Sequence, residues 1–143
     1  MKRSQRLAPV QRYNQEREDQ AARRLREIAA KVDKQRAQIE QLQAFRMEYA
    51  GQANVVGRQG VPLHRIRAIQ DFVARLDQLI EEQRATLARL ESDLEGARLA
   101  WQAEHRRRRA VDALVARHQS AERRQEHRRE QKEQDEGAAR RRR

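Results

Sequence analysis

His64, His105, His118 and His127 are the side chains of this chain best suited to move a proton or hold a metal near neutral pH. They stand too far apart in sequence to form a ligand set, and histidines on solvated helix faces account for them. There is no cysteine, hence no thiolate metal site and no disulfide framework. Hydroxyl groups are scarce. Ser4, Ser92, Ser120 and Thr86 are all of them, and none lies in a nucleophile setting. Asp135 and Glu136 sit in a charged tail and form no acid/base pair in a cleft. Neither a glycine-rich phosphate loop nor an HExxH pair occurs. These residues predict no catalytic machinery, no metal and no cofactor, so the chain is expected not to be an enzyme.

The chemistry that remains is recognition, and arginine dominates it. Of 33 basic residues 29 are Arg, against 22 acidic ones, for a net charge of +11. A guanidinium forks phosphate and carboxylate alike, so a nucleic-acid partner is one reading. Genomic base composition, which favours Arg over Lys everywhere, is the other. Here Arg is spread over every helix face and mixed with Glu. No aromatic residue interleaves the basic stretch 106–143, as base stacking would require. Nucleic acid is therefore not the expected partner.

The elements that position these charges follow from periodicity. Residues Gly51–Pro62 hold three of the five glycines and one of the two prolines. Such a cluster ends one helix and starts another. Before it, Leu25, Ile28, Val32, Gln35, Ile39, Leu42, Arg46 and Tyr49 recur in steps of three and four. Upstream the pattern weakens to Val10, Tyr13, Arg17 and Ala21. After the break, Ile66, Ile69, Val73, Leu76, Ile80, Gln83, Leu87, Leu90, Leu94, Ala97 and Trp101 keep the same rhythm. That rhythm is the heptad of a coiled coil. The expected fold is all-α, a long two-helix antiparallel coiled-coil hairpin whose second helix is longer and overhangs. One domain, 1–143, is expected, with helix one at about 9–52 and a turn at about 53–61. Helix two runs about 62–135, and a frayed basic tail covers 136–143. No stretch approaches the ~20 apolar residues of a membrane span. The basic N-terminus has no apolar run behind it, so a cytoplasmic, monomeric protein is expected.

A turn centred near residues 56–58 would bring Tyr13 close to Trp101 and Gln35 within one layer of Gln83. It would leave everything past about residue 105 without a partner. It also sorts the charge. Residues 1–24 carry seven basic and three acidic side chains, residues 106–143 fourteen and seven, and residues 25–105 twelve of each. All net charge then lies at the end that holds both termini. Near the turn, Gln38 and Phe45 share a face off the seam, as do Phe72 and Leu79. Such residues either widen the core or form a docking patch.

In LQAFRMEY (Leu42–Tyr49), LHRIRAIQDFVARLDQLI (Leu63–Ile80), Gln83, Leu87, the region of Arg98 and Trp101, and the tail EQKEQDEGAARR (Glu130–Arg141), the chain resembles the FliJ family of bacterial flagellar type III export. The likeness covers nearly the whole chain. It implies a non-enzymatic stalk protein of flagellum biogenesis, similar to the hairpin of the rotary-ATPase γ subunit, at the inner face of the cell membrane. The implied partners are the hexameric export ATPase, the cytoplasmic part of the export-gate membrane protein and, for some members, export chaperones. The gate-binding face maps onto Gln38, Leu42, Phe45, Tyr49, Phe72, Leu76, Leu79 and Gln83. Of these, Phe45, Leu79 and Gln83 depart from the residues commonest in the family. The ATPase-binding end would comprise Tyr13, Trp101, Arg106, Arg107, Arg108, Arg109, Arg123 and Arg124. Stalk proteins of virulence type III secretion share this architecture and are the alternative, as is a basic coiled-coil nucleic-acid-binding protein.

Overall fold

The computed structural model describes residues 1–142; Arg143, the end of the expected basic tail, lies outside the described residues. A short helix α1 (Arg3–Arg6) leads into α2 (Ala8–Arg58), and α3 (Leu63–Arg141) follows. No strand occurs among the described residues. The long helices pack on each other within two compact units: a turn unit, Arg23–Leu99, and a terminal unit, Met1–Ala22 with Ala100–Arg143.

Helix α2 continues past Gly51 and Gly57 to Arg58, six residues beyond the expected end. Two glycines cost about 1 kcal/mol each inside a helix. The seam nevertheless continues through half-buried Ala53 and Val56, and Ile66 packs beside Gly57. The chain reverses over only residues 59–62. There Gly60 takes a left-handed φ of 71°, and the Gln59 N–H donates to the Val56 carbonyl at 3.1 Å. Pro62 precedes α3, and its carbonyl accepts the Arg65 N–H at 3.0 Å. At the far end α3 remains helical through Arg141, where a frayed tail from residue 136 is expected from sequence.

In the turn unit the seam is aliphatic. Ile28, Val32, Ile39, Leu76, Ile80 and Ala97 are buried, and Val32 is only 1% exposed. Buried Gln35 forms a polar layer. Its Nε2 donates to the Gln83 carbonyl at 3.2 Å and to the Gln83 side-chain oxygen. Pairs such as Arg46–Asp77 (2.5 Å) and Arg36–Glu91 (3.2 Å) line the rim.

In the terminal unit the alternation of three- and four-residue steps does not stop, although the apolar residues run out. On α2 it runs back through Ala21, Glu18, Asn14 and Gln11, and it reaches Leu7 between α1 and α2. On α3 it runs on through Glu104, Arg108, Val111, Val115, His118 and Glu122. The expected upstream seam of Val10, Tyr13 and Arg17 is thus one residue out of phase, and Tyr13 is 55% exposed. Tyr13 does not meet Trp101, because the later turn moves the register: Gln11 already reaches Asp112 at 3.2 Å. Instead the Tyr13 hydroxyl accepts from Arg17 at 2.9 Å, and Trp101 stacks on His105 with centroids 4.9 Å apart. Nor is α3 unpartnered from residue 105, since contacts with the N-terminal segment reach Glu126.

Two glycine substitutions test this account of the turn. Gly51→Ala adds a methyl group in open space within α2 and should raise stability by about 0.5–1 kcal/mol. Gly60→Ala forces a side chain into left-handed backbone and should cost about 1 kcal/mol or more. Urea unfolding followed by circular dichroism measures both. Equal effects of the two changes would contradict the turn at residues 59–62.

Candidate functional site

Seam positions filled by charge give the terminal unit its chemistry. The Glu18 side chain, only 13% exposed, accepts from Arg108 through one oxygen and approaches His105 Nδ1 at 3.3 Å through the other. Arg108 also donates to Asp112 at 2.8 Å. Burial pushes the Glu18 carboxyl up, but the hydrogen bonds from Arg108 and His105 outweigh it and hold the group below the ordinary carboxylate range. Glu104 accepts from Arg17 at 3.1 Å and from Arg107 at 3.4 Å. Its other oxygen is buried and meets no donor among the described residues.

Nearer the N-terminus, Glu122 closes the first turn of α1. One of its oxygens accepts the Ser4 backbone N–H at 3.1 Å and the other the Ser4 hydroxyl at 2.6 Å. A carboxylate facing the first amides of a helix satisfies donors that the helix itself leaves unpaired. The Ser4 hydroxyl lowers the Glu122 pKa, burial opposes that, and the Ser4 N–H, Lys2 and His118 add to the lowering. Lys2 pairs with Glu126 one turn on.

All eight residues expected at the ATPase-binding end fall in this unit, but they are not equivalent. Arg108 points inward and is committed to Glu18 and Asp112. Arg107 leans on Glu104. Arg106, Arg109, Arg123 and Arg124 are exposed. Arg124 lines an open groove with Lys2, Arg3, His118 and Arg128. Tyr13 and Trp101 lie apart, as described above.

The eight residues expected at the gate-binding face all fall in the turn unit, where they serve different ends. Leu76 is buried, Leu42 half-buried, and Gln83 is tied to Gln35. Tyr49, rather than Phe45, meets Phe72, ring edge to ring face with centroids 4.8 Å apart. Phe45 is 53% exposed, Phe72 40% and Leu79 37%, and Gln38 is exposed beside them in sequence pattern.

Residues 2–143 match the family described as FliJ, flagellar FliJ protein. The chain belongs to the FliJ family. No curated protein and no solved structure matches it. FliJ membership makes this a stalk protein of flagellar type III export, a structural and coupling role, associated with the export apparatus. No described helix is long and apolar enough to cross a membrane, and no described group of His, Asp or Glu could hold a metal ion.

Glu18, Glu104 and Glu122 do not figure among the residues expected from sequence, because a search for apolar periodicity passes over polar side chains. Continuing the three–four count past Trp101 and back past Leu25 would have reached all three. The lowered carboxylates of Glu18 and Glu122 carry a pH signature. A carboxylate whose pKa falls on folding adds stability that is fully present above the unfolded value and is lost as pH drops through the folded one. Thermal melts of this FliJ protein should therefore hold steady from about pH 7 to 5 and weaken below about pH 4. Glu18→Gln/Glu122→Gln should melt lower at neutral pH and lose part of that acid dependence. An unchanged acid limb in the double variant would remove these two groups from the account.

Proposed function

We infer that this FliJ protein couples the export ATPase to the export gate, the terminal unit docking on the ATPase and the turn unit on the gate. The terminal unit, with both termini, enters the pore of the ATPase hexamer. The turn unit meets the cytoplasmic part of the gate membrane protein, at the inner face of the cell membrane, and offers the surface for export chaperones. Family membership supports the partners. The observation that carries the assignment of ends is the uneven surface chemistry: the terminal unit holds +8 of the net +11, whereas Phe45, Phe72 and Leu79 stand exposed on the turn unit.

Charge complementarity would act mainly on encounter and selection of the partner. Apolar anchors would act on residence, since aromatic side chains buried at an interface contribute most of its energy. Flagellar export is preferred over virulence secretion because the family matched is the flagellar one.

The two ends separate experimentally. Arg123→Glu/Arg124→Glu should weaken binding to the purified ATPase by about tenfold or more and leave gate binding unchanged. Phe45→Ala/Leu79→Ala should do the reverse, again by about tenfold. Titration of each variant against both partners reads the result. Loss of ATPase binding from the second variant with retention by the first would invert the assignment.

A further inference from the structure

Between Ala100 and Glu126, α3 has four carboxylates: Glu104, Asp112, Glu122 and Glu126. Each accepts a hydrogen bond from the arm formed by residues 1–22, from Arg17, Gln11, Ser4 and Lys2 in turn. Glu18 of the arm reciprocates with Arg108 and His105 on α3. By contrast, Arg106, Arg109, Arg117, Arg123 and Arg124 form no ion pair with any described residue. Val115 is the one apolar side chain buried among the described residues of this unit. The arm is thus held by polar contacts, which salt screens far more than it screens apolar burial.

We propose that residues 1–22 form an electrostatic latch on α3. When closed, the latch quenches every carboxylate of residues 100–126 and leaves an unopposed arginine face for an acidic protein segment. When open, it bares those carboxylates beside the arginines and weakens that face. The arm itself carries five basic and three acidic residues, so closure also adds positive charge. Linkage makes the effect reciprocal: a segment that binds the closed form more tightly must itself favour closure. An acidic protein fits better than nucleic acid, because residues 106–142 offer no aromatic side chain for a base to stack on. The inference rests on the terminal unit being a docking end, and it specifies the chemistry and the regulation of that end.

Hydrogen exchange of the full chain, read by mass spectrometry, tests the latch without any natural partner. Raising NaCl from about 0.05 to 0.5 M should speed exchange in the arm by about tenfold or more and leave residues 28–90 unchanged. Ser4→Ala/Gln11→Ala removes latch contacts without altering charge and should open the arm at low salt; Gln15→Ala, on the exposed side, should not. At constant low salt, poly-L-glutamate of about 20 residues should slow arm exchange in the parent chain. It should bind the Ser4/Gln11 variant several-fold more weakly despite equal net charge. Salt-insensitive arm exchange, or equal poly-glutamate affinity for parent and variant, would overturn the latch. Stronger arm protection by a duplex DNA of similar length would overturn the acidic-protein assignment. A latch that behaves as expected in a chain that does not bind the ATPase would sink the docking reading alone.

Discussion

Two helices in contact along a single seam can use only about two residues in seven to hold each other. That constraint governs this chain from Gln11 to Val56 on α2 and from Ile66 to Glu122 on α3. A one-residue slip would turn the next side chain away from the partner by about 100° of helix rotation. The alternation of steps is therefore kept even where its residues cease to be apolar, and what fills it decides the character of each unit. Aliphatic side chains fill it in the turn unit, each worth about 1.5–3 kcal/mol when fully buried. In the terminal unit Asn14, Glu18, Glu104, Arg108 and Glu122 fill it. There a typical hydrogen bond nets about 0.5–1.5 kcal/mol, and an ion pair must first offset the cost of removing charge from water. One geometric rule thus yields one unit held by burial and another held by charge.

The same rule sorts the surface. The terminal unit has nineteen basic and eleven acidic residues in the sequence, so it carries +8 of the net +11. Its seam then draws acids inward. Glu18 and Glu104 are 13% and 12% exposed, whereas Arg106 and Arg109 stay in solvent. Between residues 100 and 126 the surface of α3 is more positive than composition suggests, because each carboxylate of that stretch is engaged by the N-terminal arm. In the turn unit the corresponding pairs, Arg46–Asp77 and Arg36–Glu91, stay on the rim at roughly half exposure, and the unit's net charge is only +3. Exposed pairs of that kind contribute about 0–1 kcal/mol.

How much of this was legible in the sequence depends on which signal a residue carried. Ile66 to Trp101 announced itself, since aliphatic residues fill nearly every step. The Gln35–Gln83 layer was legible for the same reason, as two amides in otherwise apolar series. The position of the turn was not. Gly51 and Gly57 are strong local signals against helix, and only the weak seam residues Ala53 and Val56 oppose them; tertiary packing decided in favour of helix. That displacement of the turn carried Tyr13 away from Trp101 and gave residues 106–126 a partner. Arg108 misled for a different reason. In sequence it is one of four consecutive arginines, and only its phase with Glu104 and Val111 distinguishes the one that turns inward.

The turn-proximal aromatics show how phase separates structural from recognition roles. Tyr49 is on the seam and uses its ring against Phe72, which fixes both within the hairpin. Phe45 stands four residues earlier, one turn along but beside the seam, and has no ring partner among the described residues. Leu79 stands in the same relation to buried Leu76 and Ile80. Converting either off-seam residue to a polar one would leave the seam intact, so fold stability does not explain an apolar side chain at both places. The docking proposed for the turn unit would explain it, since a partner gains apolar area from side chains that protrude. The seam thus also fixes which apolar side chains remain in solvent.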